Sequence, residues 1–293
     1  MDFSLDSSGS GRVVMNPQRP PDRVRQVASL VAGLGLLMFA MAALAAPDRV
    51  PLPNPDLSSA PPWVVPPFGA DGRGIPLWIY ALQGARILAG PTLLAAMVVA
   101  VASTVAGFVR CTAGPVVNDT LAVVAEGIGA LPRMVVVLVV ALLLPRDWRT
   151  FAPIALTWAI LAAPAAMDEA AATAGRLGAQ RFVEALRAHG FSNFRIYAVH
   201  VIGYNLRPVI VRQSAEVAMQ VVFLEIALSY LALSLTQPSF THAADEHSWA
   251  VILYEGYKAL LGLPLWHAFA LGLGLVAGIA MLFTSLRLAS RAR

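Results

Sequence analysis

Val27 to Ala46 and Ile87 to Val109 contain no charged side chain. Each matches the roughly 20 apolar residues a helix needs to cross the hydrocarbon core of a bilayer. Two such runs leave little choice of solvent, and the composition agrees. The 293 residues are 58% hydrophobic and 13% charged, with a mean hydropathy of +0.68. Soluble domains run near 45–50% apolar with about a quarter of their residues charged. An ordinary soluble enzyme is excluded, and so is a disordered chain, which needs few apolar residues and many charges.

Four further runs extend the pattern. Asn118 to Leu144 reads as a third span carrying Glu126 and Arg133, with Pro132 between them kinking the helix. Glu126 and Arg133 are spaced to pair across two turns, or Arg133 can extend to the interface. Pro145-Arg146-Asp147-Trp148-Arg149 breaks the pattern, and Ala152 to Met167 opens a fourth span. Val217 to Thr236 is a fifth, interrupted by Glu225, and Ala259 to Leu286 a sixth. The expected fold class is all-α: a polytopic membrane protein of about six transmembrane helices. Residues 1–26 form a cytoplasmic tail, 27–46 the first helix, 47–86 an external loop rich in Pro and Ser, and 87–293 the remaining five helices. Ala45-Ala46-Pro47 faintly resembles a cleavage site, but a signal peptide has a shorter apolar region and an earlier start. Residues 237–249 read as a polar, mildly acidic outer loop.

Orientation follows from the arginines, which favour the cytoplasmic side of short connections. An inside tail puts Arg110, the Arg176–Arg212 stretch, Arg287, Arg291 and Arg293 inside too. Arg49, Arg73, Arg86, Arg146, Arg149 and Lys258 fall outside, offset by Asp48, Asp56, Asp71, Asp147, Asp245, Glu246 and Glu255. Both termini are then cytoplasmic.

Of the 21 basic residues only Lys258 is lysine, and no Ser or Thr follows it. A phosphate-cradling G-x-x-x-x-G-K-[ST] loop is therefore missing. No cofactor is expected in the chain. The pI near 9.6 comes from arginines between apolar runs rather than from a basic patch, which argues against nucleic acid. Cys111 is the single cysteine and permits no intrachain disulfide. His242, Asp245, Glu246 and His247 share the outer loop but lack the spacing of a helical metal site, so a solvated loop is the reading. His189, His200 and His267 are scattered, and no Ser/His/Asp, Cys/His or paired-carboxylate arrangement emerges.

The long inside connection is the most informative. Phe182 to His189 reads as a short amphipathic helix, with Phe182, Ala185 and Leu186 on one face at i, i+3, i+4 spacing. Gly190 then allows a left-handed turn or the close approach of another backbone. A second segment, Phe194 to His200, follows, making a small helical knob on a membrane bundle. Taken alone, it fits equally an interfacial helix lying on the headgroups.

Glu184-Ala185-Leu186-Arg187-Ala188-x-Gly190 resembles the EAA-x-x-x-G loop of binding-protein-dependent ABC transporter permeases. Arg195-Ile196 and His200-Val201-Ile202 are similar to the R-I-I and H-I-L-P-N that follow in the dipeptide/oligopeptide branch. Leu224-Glu225-Ile226-Ala227-Leu228-Ser229-Tyr230-Leu231-Ala232-Leu233 resembles its L-E-A-A-L-S-F-L-G-L, and Ser248-Trp249-Ala250 its S-W-G. Upstream, Gly69-Ala70-Asp71-x-x-Gly74 and Gly84-Ala85-Arg86-Ile87 resemble G-T-D-x-x-G-R-D and G-A-R-I-S. The motifs keep their order over about three quarters of the chain and match the C-type partner of the two paired permeases. The chain departs from that pattern at Ile75-Pro76, where the family has Arg-Asp, and at Trp78 to Tyr80, which lack its Ser-Arg. Gly203 replaces a proline, and Asp168-Glu169 lie in a region that usually bears arginine. A lookalike, Glu169-Ala170-Ala171 with Gly175, has shorter spacing and no H-I-L-type segment after it.

The resemblance implies a permease subunit of the bacterial inner membrane. Its partners would be a second permease subunit, two ATPase subunits that bind the ATP, a solute-binding protein and membrane lipid. It implies di- or oligopeptides as cargo, with nickel or another small solute as the alternative. The ATPase-coupling residues would be Glu184, Ala185, Arg187, Gly190, Arg195 and His200. Glu225 and Glu126 are candidates for the pathway or the permease interface. For Glu225, a wet pathway, a partner helix and a neutral buried acid all remain open. The rival class is a non-transporting scaffold or an intramembrane enzyme.

Overall fold

The computed structural model describes residues 22–48, 51–145, 148, 150–234, 248–260 and 266–290. Among them the chain is helical and contains no β-strand. Helix α1 is Asp22–Leu44 and α2 is Leu77–Thr112. Next come α3 (Pro115–Gly129), α4 (Arg133–Leu143) and α5 (Phe151–Gly178). Helix α6 (Arg181–Ala188) and the single turn α7 (Asn193–Arg195) lead into a π-helical stretch, Ile196–Leu206. It runs directly into α8 (Arg207–Ser234), and α9 (Trp249–Leu260) and α10 (Trp266–Ala289) complete the described chain. Helices α1, α2, α5 and α10 are long and apolar enough to cross a membrane, and α3 with α4 makes a fifth if the bent pair is one span.

The axis of the molecule is the pairing of α2 with α5, its most extensive helix–helix interface. On α5 the buried Ala155, Ala159, Ala162 and Ala166 recur at four- and three-residue steps, a single stripe of small side chains. Small residues let membrane helices approach closely, so packing substitutes for the hydrophobic drive that lipid does not supply. Leu88, Ala95 and Val99 of α2 face that stripe, and α8 adds Val217, Val221 and Leu224 to the same core. Helix α1 lies against α10 and α2, and α9 packs on α10. Exposed Leu30, Leu34, Leu37 and Met41 on α1 suit contact with lipid.

Several expected boundaries move. Helix α1 starts at Asp22, so the last residues of the expected tail are helical. Helix α2 begins ten positions before the uncharged run and reaches 36 residues, about 54 Å, because Leu77, Ile79 and Tyr80 are buried apolar anchors. Helix α5 likewise continues past Met167 to Gly178, so the inner connection is 179–206. The expected third span is two helices rather than one. They meet at 73° across Ala130-Leu131-Pro132, because proline cannot continue the ladder of α3 and instead opens α4. Among the described residues no ion pair joins Glu126 to Arg133, since the break turns the second helix away. The sixth run starts at Trp266, and Ala259 belongs to α9, a helix the hydropathy pattern did not anticipate. The His242–His247 stretch and the end of the fifth run lie outside the described residues.

Candidate functional site

Apart from the Glu225 segment of α8, the motifs of the sequence gather at the two ends of α2. At its N-terminal end, the loop 51–76 folds around Asp71. Oδ1 of Asp71 accepts from the backbone N–H groups of Arg73 (2.9 Å) and Ile75 (2.8 Å). Oδ2 accepts from the Tyr80 hydroxyl at 2.9 Å and pairs with the Arg73 guanidinium at 3.3 Å. Arg73 also donates to the Tyr80 oxygen at 3.0 Å, closing a three-residue ring. Partial burial disfavours the Arg73 charge, but Tyr80 and Asp71 more than offset it and hold the guanidinium above its ordinary range.

Two distant motifs meet the same end. The Trp249 indole N–H donates to the Ala81 carbonyl at 2.8 Å, and a Cβ on Gly84 would collide with the Trp249 ring. Glycine at 84 is what admits the tryptophan. His267 of α10 reaches the Ala70 carbonyl with Nε2 at 3.2 Å. The G-A-D-x-x-G, G-A-R-I and S-W-A segments thus form one clasp, although up to 180 positions separate them in the chain.

At the opposite end, 179–206 folds into a knob with its own core. Ala170 and Ala174 of α5, Val183 of α6, and Ile196, Tyr197, Val201, Ile202 and Leu206 are buried together. Phe108 and Cys111 of α2 pack against them, so the knob is seated on the ends of α2 and α5. Within the π-helical stretch the buried positions 196/197, 201/202 and 206 recur every five residues, the spacing of an i→i+5 ladder. That repeat is visible in the sequence, but a search at 3.6 or 2 residues misses it.

Helix α6 ends in a Schellman motif. The Phe191 N–H bonds the Leu186 carbonyl at 3.1 Å, and the Gly190 N–H bonds the Arg187 carbonyl at 2.9 Å. Gly190 has φ of +82°, and nothing lies within 4 Å of where its Cβ would be. Of the two roles open to this glycine, the left-handed turn is therefore the one present, and no other described segment approaches its Cβ position.

The predicted site residues separate into two sets. Arg187 is exposed but ties back onto the knob, donating to Tyr197 Oη at 2.7 Å and Asn193 Oδ1 at 3.2 Å. Arg195 stacks over Phe191 with its guanidinium carbon 5.0 Å from the ring centroid, and His200 meets Phe191 edge to face with the ring centroids 5.9 Å apart. These three brace the knob. Glu184 and Ala185 are exposed, and among the described residues Glu184 has no hydrogen bond or ion pair. The face assigned to α6 needs correcting. Val183, not Ala185, is buried beside Phe182 and Leu186, because the knob core lies on the 182/183/186 side.

Other candidates lie elsewhere. Glu126 is exposed on α3, and Glu225 is fully buried within α8 among Val221, Val222, Leu224 and Leu228. The Glu169-Ala170-Ala171 lookalike sits inside α5, where Ala170 is buried and Glu169 pairs with Arg212 and Gln213 of α8. It joins two helices and presents no free edge. Sequence reasoning missed this tie, along with Glu216–Arg287 (3.4 Å) and Trp158–Gln220 (3.1 Å), which give α8 a row of polar links to α5 and α10. No family model matches the chain, and a comparison with curated proteins finds no match.

Proposed function

We propose that the chain is the permease subunit of an ABC importer, with six spans in a bacterial inner membrane and both termini cytoplasmic. In this reading the knob docks on ATPase subunits, a second permease completes the pathway, and a solute-binding protein delivers cargo to the clasp end. Di- and oligopeptides are the favoured cargo, with nickel or other small solutes as the alternative. One observation carries the reading: the knob is internally packed and braced, yet it leaves the Glu184–Ala185 edge of α6 uncommitted. A rigid protrusion with a free edge is what mechanical coupling to a motor requires, since only differential contacts can move a conformational equilibrium. An interfacial helix would instead turn its apolar face to lipid, and here that face is spent on the knob core.

Charge distribution supports the orientation. At the clasp end Arg73 pairs with Asp71, and Arg86 pairs with Asp48. At the knob end Arg110, Arg176, Arg181, Arg195 and Arg207 have no acidic partner among the described residues. Unneutralised arginines belong on the cytoplasmic side.

The test uses the exposed edge, where substitution leaves the knob core intact. Glu184→Arg and Ala185→Trp, expressed with the neighbouring transport subunits, should insert normally and keep the thermal stability of the parent. Both should lose ATPase co-purification and solute uptake by about tenfold or more, the loss a reversed or blocked interface contact produces. Undiminished co-purification and uptake in both variants would remove the coupling assignment.

A further inference from the structure

Between the knob ends of α2, α3 and α5 lies a cavity of about 210 Å³. Its walls are Ala106, Ala122, Ala125, Ala171 and Ala172 with Leu121 and Met167, and its polar groups are Arg110, Asn118 and Asp168. Arg110 comes from the last turn of α2 and Asp168 from the middle of α5. Both are exposed at the open rim of the cavity, and neither makes an ion pair or a hydrogen bond with any described residue. The Asn118 amide nitrogen is held by the Ala113 and Gly114 carbonyls at 3.1 Å, which leaves its oxygen as an acceptor. Opposite charges that line one small cavity without pairing can each take a charge from the same ligand. The volume is about seven times a water molecule's share of the liquid, enough for a small polar group and too little for a folded peptide segment. Alanine walls keep the space open and offer no competing polar atom.

We propose that this cavity binds a small zwitterion, its anionic carboxylate or phosphate on Arg110 and its ammonium on Asp168 and the Asn118 oxygen. Two sources carry that chemistry. One is the headgroup of phosphatidylethanolamine, since Arg110 directly follows an uncharged run of spanning length and so stands at headgroup level. The other is a free zwitterion such as a dipeptide. The site stands on the cavity and its two charges, independently of the transport reading.

Cys111 is the only cysteine, so a reporter is easily built: full-length Cys111→Ser carrying Ala122→Cys in the cavity wall, in nanodiscs of phosphatidylglycerol alone. Maleimide labelling of Cys introduced at 122 is followed against dihexanoyl phosphatidylethanolamine, dihexanoyl phosphatidylglycerol and glycylglycine. Protection by phosphatidylethanolamine supports the lipid source, protection by glycylglycine the free source, and protection by both the shared chemistry. In each case Arg110→Gln and Asp168→Asn should raise the concentration needed by about tenfold, as expected for loss of a charged hydrogen bond. Exchanging the two charges, Arg110→Asp with Asp168→Arg, should restore protection, because a zwitterion can bind reversed. Protection by neither zwitterion, equal protection by phosphatidylglycerol, or indifference to both single substitutions overturns the proposal.

Discussion

Gly190 sits at φ +82°, where a side chain costs about 1–2 kcal/mol. Open space around it means that Gly190→Ala is a conformational change with no clash. It is expected to fray the end of α6 by roughly that amount, read as faster limited proteolysis at 186–192 with the spans still protected. Gly84 is the opposite case. Its missing Cβ is occupied by Trp249, so Gly84→Ala must displace the ring and its bond to Ala81. A loss of about 1–3 kcal/mol is expected, seen as a lower Tm in detergent, with Gly90→Ala, which meets nothing within 4 Å, as the comparison. Both glycines are plain in the sequence, and the difference in why each is glycine is not. One answers to its own backbone and the other to a residue 165 positions away.

Among the elements, α6 was legible as a short amphipathic helix from its length, its closing glycine and its apolar spacing. Its buried side was not, because Val183 and Ala185 are both apolar and only the neighbouring helices choose between them. Val183→Ala should therefore cost the knob about 2 kcal/mol and Ala185→Ser almost nothing, measured as local hydrogen-exchange protection over 181–206. The π-helical stretch was hidden for a different reason, since a five-residue repeat falls outside the periods normally sought. Pro132 was recognised as a kink, but its effect is larger: two helices at 73°. Restoring the missing N–H in Pro132→Ala should let α3 and α4 approach collinearity. Spin labels at Val117 and Leu142 would then move apart by about 7 Å, given a 1.5 Å rise per residue. An unchanged distance would show that packing on α5, rather than the proline, sets the bend.

For the whole molecule, the clasp and the knob occupy opposite ends of a helix about 54 Å long, so the chain has two distinct faces across a membrane. A reporter fused after residue 293 should behave as cytoplasmic and one inserted within 237–249 as external; the reverse result would invert the orientation. The purified chain alone should hydrolyse no ATP, because Lys258 is outside any phosphate-binding motif.

Helical character and apolar runs long enough to cross a membrane were legible in the sequence alone, since both follow from the length and purity of those runs, and so was the amphipathic segment closed by Gly190. Those features depend on neighbours within a few turns. Tertiary structure decided that the scattered G-A-D-x-x-G, G-A-R-I and S-W-A segments form one clasp, and that Arg187, Arg195 and His200 brace the knob while Glu184 and Ala185 stay free. It also decided that Arg110 and Asp168, without a charged partner among the described residues, line one cavity. Each of these is a contact between helices. In a chain whose spans are mostly apolar all round, the pattern of one helix carries little information about which face meets which neighbour.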